Sequence, residues 1–160
     1  THIFSNRPEK GALKISENEN VSLVAFNKAD FLPNGEIYKT LLKTKIDYIV
    51  LAGFLLKIPE ALIQMFPDRI VNIHPALLPK YGGKGMYGKH VHQAVADNNE
   101  NESGVTIHLV NEQYDEGNIL IQFKCDLDKA DTPEVIEQKV RTLEHKHFAP
   151  TIEKWINNEI

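Results

Sequence analysis

The sequence predicts an α/β fold, with a Rossmann-like and mostly parallel sheet, helices on both faces and an antiparallel hairpin at one edge. Short apolar stretches rich in β-branched residues alternate with stretches of helical period, which is the pattern of strands joined by crossover helices. Two alternating stretches flank a polar turn at 111–117, which is typical of a β-hairpin. The 160 residues, 42% of them hydrophobic, suit one globular domain over 1–160.

The first half of the chain is expected to hold three strands and two helices. Asn6 and Pro8 suit the cap and first turn of the first helix, and Pro33-Asn34-Gly35 is a turn signal before the second. In that second helix, Ile37, Leu41 and Leu42 are expected on one buried stripe. The strand at 46–52 is the most continuously apolar and is therefore expected at the centre of the sheet. The predicted strands are 2–5, 21–26 and 46–52, and the helices are 8–17 and 36–45.

The second half is expected to hold a short helix, three strands and two longer helices around a glycine-rich loop. Pro59 suits the first turn of the short helix, and Thr132 suits the cap of the last one. That last helix is expected to run to about His147 and to be kinked by Pro150. The predicted helices are 59–66, 89–98 and 132–147, the strands are 69–74, 103–110 and 118–123, and the loop is 80–88.

Composition excludes several function classes. The net charge of -4, with 18 basic and 22 acidic residues interleaved, provides no concentrated positive field for nucleic acid. One cysteine, Cys125, cannot form an internal disulfide, so a cytoplasmic location is expected. The longest apolar run, 48–56, is far below the ~20 residues of a membrane-spanning helix. No metal is expected, since His90 and His92 have the wrong spacing for one helix face and no zinc pattern occurs.

An amide and an imidazole leave the predicted strand 69–74 together. Asn72 and His74 are two residues apart and so point to one face, and Pro75 ends the strand. Taken singly, Asn72 is most simply interpreted as a turn cap and His74 as a partly buried strand residue. As a pair at the carboxyl end of a strand, they indicate a ligand site. Asp115 in the hairpin turn is the candidate carboxylate, and Gly53 ends the neighbouring strand.

These groups suit acyl transfer. An imidazole exchanges protons near neutral pH, an amide donates to a developing oxyanion, and a carboxylate orients the imidazole. None of the serines stands in a Gly-x-Ser-x-Gly elbow, so direct transfer without a covalent enzyme intermediate is favoured. His108 reads as a satisfied strand histidine with a supporting role left open. Arg141 and Glu144 share a helix face. This arrangement fits either a surface ion pair or a pair of side chains that binds a polar substrate.

The motifs resemble those of the phosphoribosylglycinamide formyltransferases, the folate-dependent family of purine synthesis. The resemblance runs along essentially the whole chain, and its most specific part is the Asn-x-His-Pro-x-Leu-Leu-Pro stretch, which the wider formyltransferase superfamily shares. It implies transfer of a formyl group from 10-formyltetrahydrofolate to the amine of glycinamide ribonucleotide, with Asn72, His74 and Asp115 as the catalytic trio. The matching segments are Ala52–Phe54, Asn72–Tyr81, Asp115–Gly117 and Glu144–His145.

The resemblance also implies the binding residues and partners. Both substrates are small molecules, without metal or nucleic acid, and the protein is expected to be a monomer or weak homodimer outside any membrane. The implied folate pocket comprises Leu55, Leu56, Lys57, Ile58, Val110, Asn111, Glu112, Gln113, Tyr114 and Asp115. The implied ribonucleotide contacts are Gly53, Asn72, Pro75, Arg141 and Glu144.

In that family a first strand and a phosphate-binding loop precede the segment corresponding to Thr1. The chain is therefore expected to be an N-terminally incomplete fragment that is poorly stable and binds ribonucleotide weakly. Two other functions stay open. One is a related formyltransferase, acting on methionyl-tRNA or a sugar nucleotide, or a formyltetrahydrofolate hydrolase. The other is a non-catalytic α/β binding module of the response-regulator sort.

Overall fold

A computed structural model describes residues 1–32 and 35–160, and it divides the chain into two units, Thr1–Ile46 and Asp47–Ile160. The α/β class predicted from the sequence is confirmed, with an antiparallel hairpin in the second unit. The single formyltransferase domain expected over residues 1–160 stays a prediction.

The first unit contains a two-stranded parallel sheet. Strand β1 (His2–Ser5) pairs in register with β2 (Ser22–Ala25), and helix α1 (Ala12–Glu19) connects them. The expected cap at Asn6 is wrong: a 3₁₀ turn begins at Pro8 with Arg7 before it, and Gly11 separates that turn from α1. Gly11 has a φ of 117°, which a residue with a side chain rarely adopts, so the helix begins after it.

Helix α2 (Glu36–Lys43) buries a stripe that differs from the predicted one. Ile37 and Leu41 are buried as expected, but Leu42 is 66% exposed and Tyr38 is buried in its place. At 100° per residue, a stripe that includes Tyr38 turns Leu42 toward its edge. Two residues of the predicted turn, Pro33 and Asn34, lie outside the described residues.

The second unit contains a four-stranded sheet with the order β3 (Ile49–Leu51), β4 (Ile70–His74), β5 (Glu102–Leu109), β6 (Ile119–Asp126). The β3–β4 pair is parallel, while β4–β5 and β5–β6 are antiparallel. The expected central position of the 46–52 strand is wrong, because β3 is an outer strand of this sheet and Val50 is 42% exposed. The inner strands β4 and β5 instead bury both of their faces.

Three helices complete this unit: α3 (Glu60–Met65), α4 (Lys89–Asp97) and α5 (Pro133–Ile156). Pro59 is the residue before α3 and not part of its first turn. Thr132 caps α5 as predicted, with its hydroxyl accepting from the Val135 N–H. Helix α5 continues through Pro150 to Ile156, since buried Thr151 and Trp155 hold the last turns against the core.

Helix α5 packs against β5, β6 and α4 and closes the core of this unit. The ring of Trp155 meets that of Tyr48 edge-on at 5.0 Å, and the His147 and Phe123 rings stack at 3.8 Å. No helix in the described ranges is long and apolar enough to cross a membrane. The buried members of the core are Val71, Ile73, Val95, Val105, Ile107, Ile136, Val140 and Trp155.

Candidate active site

The carboxyl end of β4 carries the amide and the imidazole that the sequence singled out. Asn72 and His74 occupy alternate positions of the strand, so their side chains leave the same face of the sheet. His74 is 4% exposed and Asn72 is half-buried. The neighbouring parallel strand pairs its last residue, Leu51, with Asn72, and Gly53 follows two residues after that strand ends. A polar cluster therefore stands at the end of two adjacent strands.

Two groups hold the His74 ring, one at each nitrogen. Its Nε2 lies 2.7 Å from the main-chain oxygen of Tyr81. A carbonyl oxygen accepts but does not donate, so Nε2 carries a proton. The Nδ1 atom lies 3.5 Å from a carboxylate oxygen of Asp115. The ring is thus oriented with its second nitrogen facing a carboxylate.

Asp115 reaches His74 from the turn between β5 and β6. Its side chain is 11% exposed, and its backbone φ of 57° lies in the left-handed region. The Gly83 N–H donates to Oδ2 of Asp115 at 2.9 Å. Gly117 closes the turn, where a Cβ atom would collide with the Leu109 carbonyl oxygen. Backbone geometry and one amide donor therefore fix the carboxylate before any substrate arrives.

His108 on β5 is the register partner of Asn72. The two side chains meet at 3.2 Å, between the amide Nδ2 and the imidazole Nε2, and Nδ1 of His108 donates to the Leu109 carbonyl oxygen at 2.8 Å. Burial lowers the pKa of His108 from its ordinary value of 6.5, against the opposing effects of that hydrogen bond and of Asp115.

A neutral His108 with its proton on Nδ1 has an acceptor at Nε2, so it receives one N–H of Asn72. This contact fixes which end of the amide faces the histidine. The second N–H of Asn72 is left for another acceptor. Oδ1 of Asp115 lies 3.7 Å from Nε2 of His108, so four side chains converge at this point.

Buried Thr106 supports the chain that follows β4. Its hydroxyl donates to the Ala76 carbonyl oxygen at 2.6 Å and accepts from the Leu78 N–H at 3.0 Å. Gln122 on β6 donates to the same hydroxyl and to the Leu78 carbonyl oxygen, each at 2.9 Å. These bonds fix the turn that carries Pro75 and leads to Tyr81.

The two segments expected to form the folate pocket approach each other at one contact. The ammonium of Lys57 lies 6.0 Å from the centre of the Tyr114 ring. In the first segment, Leu55 and Lys57 are exposed, Leu56 is half-buried and Ile58 is buried. In the second segment, Val110, Asn111 and Asp115 are half-buried, whereas Glu112, Gln113 and Tyr114 are exposed.

The residues expected to contact ribonucleotide are less closely grouped. Pro75 directly follows His74, and Gly53 lies at the end of β3. Arg141 and Glu144 lie on α5, the first exposed and the second half-buried. Among the described residues, no hydrogen bond or ion pair joins Arg141 or Glu144 to the trio. Nor do three or more His, Cys, Asp or Glu side chains there form a metal-binding group.

The main-chain contacts of Tyr81 and Gly83 were missed by sequence reasoning. A backbone carbonyl or N–H has no residue-type signal, so the sequence indicates only that the glycine-rich loop is near the site. Thr106 did carry a signal, because a threonine within a buried strand needs partners for its hydroxyl.

An α/β sheet with an amide, an imidazole and a carboxylate at its strand ends defines an acid–base site of the kind that transfers acyl groups. The family is also shown: the formyl transferase profile matches residues 1–152, and the chain belongs to this family.

Individual relatives carry a more specific name. The chain is 41% identical over 155 residues to the chloroplastic phosphoribosylglycinamide formyltransferase of Arabidopsis thaliana, covering 94% of this chain and 53% of that protein. It is 32% identical to the phosphoribosylglycinamide formyltransferase of Bacillus subtilis, covering 95% and 77%. The crystal structure of the Brucella melitensis enzyme of the same name superposes with a TM-score of 0.85 at 33% identity, over 97% of this chain and 79% of that one. The chain thus spans about half the length of the plant relative.

Proposed function

We propose that this protein transfers the formyl group of 10-formyltetrahydrofolate to the amine of glycinamide ribonucleotide, a step of purine biosynthesis. Three relatives that carry the name phosphoribosylglycinamide formyltransferase support the acceptor. The observation that carries the chemistry is the convergence of Asn72, His74 and Asp115, with His108 behind them.

In the proposed reaction the substrate amine attacks the formyl carbon, the carbonyl oxygen gains negative charge, and the amine loses a proton. Among the described residues, the Asn72 amide donates one hydrogen bond, to His108, and its second N–H is the donor for the oxygen. Protonated His74 supplies positive charge beside it, balanced by Asp115. Asp115 is also the acceptor for the amine proton, directly or through water. The bond from the formyl carbon to the tetrahydrofolate nitrogen then breaks, and that nitrogen takes up the proton removed from the amine, passed on by Asp115 or water, which completes the transfer.

The binding assignments belong to the same proposal. Residues 55–58 and 110–115 hold the folate, and the approach of Lys57 to Tyr114 supports one shared pocket for both segments. Gly53 after β3, Pro75 after β4, and Arg141 and Glu144 on α5 are the proposed contacts of the ribonucleotide. A cytoplasmic location and a monomer or weak homodimer stay predictions.

The test is a formyl-transfer assay on the full-length protein with both substrates. Replacing Asn72 by Ala is expected to lower kcat by about 10²–10³-fold, the usual effect of losing one oxyanion donor. Asn98→Ala is the matched control, because Asn98 lies exposed at the end of α4. Circular dichroism checks that both variants fold.

The same assay separates the rival functions. Formate released without an amine acceptor would identify a hydrolase and contradict the proposal. Folate binding without turnover would identify a binding module. Full activity of the Asn72→Ala variant would remove the amide from the mechanism.

A further inference from the structure

One short turn holds both partners of the acid–base pair. The Tyr81 carbonyl oxygen receives the Nε2 proton of His74 at 2.7 Å, and the Gly83 N–H donates to Asp115 at 2.9 Å. Gly82 lies between them, where a Cβ atom would approach the Asp115 Cβ to 3.2 Å. The geometry of Tyr81–Gly83 therefore determines where His74 and Asp115 stand relative to each other.

The backbone of this turn has an unfavourable conformation, which other contacts must stabilise. Tyr81 has a φ of 56°, in the left-handed region that a residue with a Cβ atom seldom occupies. A conformation of this kind persists only when the surroundings impose it. The main-chain bonds to His74 and Asp115 attach this turn at two points, and the Tyr81 side chain attaches it at a third.

The Tyr81 side chain is anchored at its far end by Glu100, in the connection between α4 and β5. The phenol O–H donates to Oε1 of Glu100 at 2.9 Å, and the Lys80 ammonium donates to the same oxygen at 2.8 Å. The Tyr81 ring also packs against the core of the second unit. Burial, followed by the bond to Glu100, raises the pKa of Tyr81 to about 12, so the phenol keeps the proton that it donates.

We propose that Glu100 is a positioning residue: through the Tyr81 hydroxyl it holds the Tyr81 carbonyl against Nε2 of His74 and thereby selects the Nε2-protonated form of that imidazole. Among the described residues, Glu100 contacts none of the three trio members. It acts on His74 through the Tyr81 side chain. The proposal rests on the proposed function for its effect on turnover but not for its effect on His74.

Of the two donors to Glu100, Tyr81 is the one through which Glu100 acts on the turn. Lys80 is 67% exposed, and exposed ion pairs contribute little because water screens them. The Tyr81–Glu100 bond is partly buried and connects directly to the strained turn. A neighbouring ion pair, Glu102 with Lys124 at 2.9 Å, has similar chemistry, and among the described residues no hydrogen bond joins it to Tyr81.

The chain therefore offers matched variants. Tyr81→Phe removes the hydroxyl and keeps the ring, while Glu100→Ala removes its acceptor. Glu100→Gln keeps an oxygen acceptor and is the conservative rescue. Lys80→Met removes only the exposed donor. Glu102→Ala breaks the neighbouring ion pair and is the control for loss of a surface carboxylate.

The first measurement is ¹⁵N NMR of the His74 imidazole in the full-length protein without substrates, which reports which nitrogen carries the proton. Tyr81→Phe and Glu100→Ala are expected to lower the Nε2-protonated fraction, while Glu100→Gln, Lys80→Met and Glu102→Ala keep the wild-type spectrum. An unchanged His74 signal in both Tyr81→Phe and Glu100→Ala would overturn the proposal, whatever happens to activity.

The second measurement is formyl transfer. Tyr81→Phe and Glu100→Ala are each expected to lower kcat by about tenfold with little change in KM, and the double variant to be no worse than either, since all act through one bond. Additive losses would contradict a shared path. If the NMR signal shifts as expected but the wild-type protein transfers no formyl group, the proposed function fails while the role of Glu100 stands.

Discussion

Asn72 and His108 are register partners on antiparallel strands, and their side chains meet at 3.2 Å. The bond of His108 Nδ1 to the Leu109 carbonyl leaves Nε2 as an acceptor, and this acceptor orients the amide. A buried, neutral histidine therefore orients the Asn72 amide so that it donates a hydrogen bond in the reaction.

Replacing His108 by Phe is expected to lower kcat by about tenfold, because the Asn72 amide then rotates without a partner. Steady-state kinetics of His108→Phe, Asn72→Ala and the double variant provide the check. The double variant should match Asn72→Ala, since both changes act on one amide. Losses that multiply would show that His108 acts by another route.

Stability is expected to fall as the pH is lowered from 7.5 to 5.5. Burial lowers the pKa of both His92 and His108 from the ordinary value of 6.5. Above pH 6.5 both histidines are neutral, in the folded chain and in the unfolded chain. Below pH 6.5 the two histidines bind protons in the unfolded chain but not in the folded chain. The free energy of unfolding therefore decreases until the pH reaches the folded-state pKa.

The expected slope is at most about 1.4 kcal/mol per pH unit for each histidine, measured by urea unfolding at several pH values. His92→Gln should reduce the slope, and His90→Gln, which changes an exposed histidine on the same helix, should not. An equal slope in wild type and His92→Gln would exclude His92 as its source.

Thr106→Val is expected to destabilise the protein by roughly 2–6 kcal/mol. The change leaves the Ala76 carbonyl and the Leu78 N–H buried without their partner, at about 1–3 kcal/mol for each group. Thr106→Ser keeps the hydroxyl and should lose less. Denaturant unfolding of the two variants gives the comparison, and equal losses would assign the cost to packing.

Thr132→Ala is expected to lower the free energy of unfolding by about 1 kcal/mol, because the cap of α5 is lost. Thr142→Ala is the control within the same helix, where the hydroxyl bonds the carbonyl one turn earlier. Alanine favours the helix interior, so that variant should be neutral or slightly more stable. Thermal melting of both distinguishes a cap from a general effect of threonine.

The sequence predicted the placement of Asn72 and His74 at one strand end better than the order of the strands. Alternation along β4 and the proline after it were enough to bring Asn72 and His74 to one strand end, because strand geometry is local. The hairpin of β5 and β6 followed from two alternating stretches around a polar turn. The outer position of β3 did not follow, since an apolar strand does not reveal which neighbours cover it.

Other differences arise where tertiary packing overrides local preference. The last helix was expected to run to about His147, yet α5 continues past Pro150 to the buried Trp155, and the kink expected at Pro150 stays a prediction. Leu42 was placed on the buried stripe by residue type, but the stripe turned toward Tyr38. In both cases, contacts distant in sequence decided the outcome, and helical period alone does not contain them.

Within the described residues, the hydrogen bonds between the glycine-rich loop and the acid–base pair are those of Tyr81 and Gly83. The following segment, 84–88, bonds back to Gly83 through the Met86 N–H and forward to the start of α4 through the carbonyl oxygens of Gly85, Tyr87 and Gly88. A change of length or composition within 84–88 therefore leaves in place both hydrogen bonds by which Tyr81 and Gly83 hold the proton-handling pair.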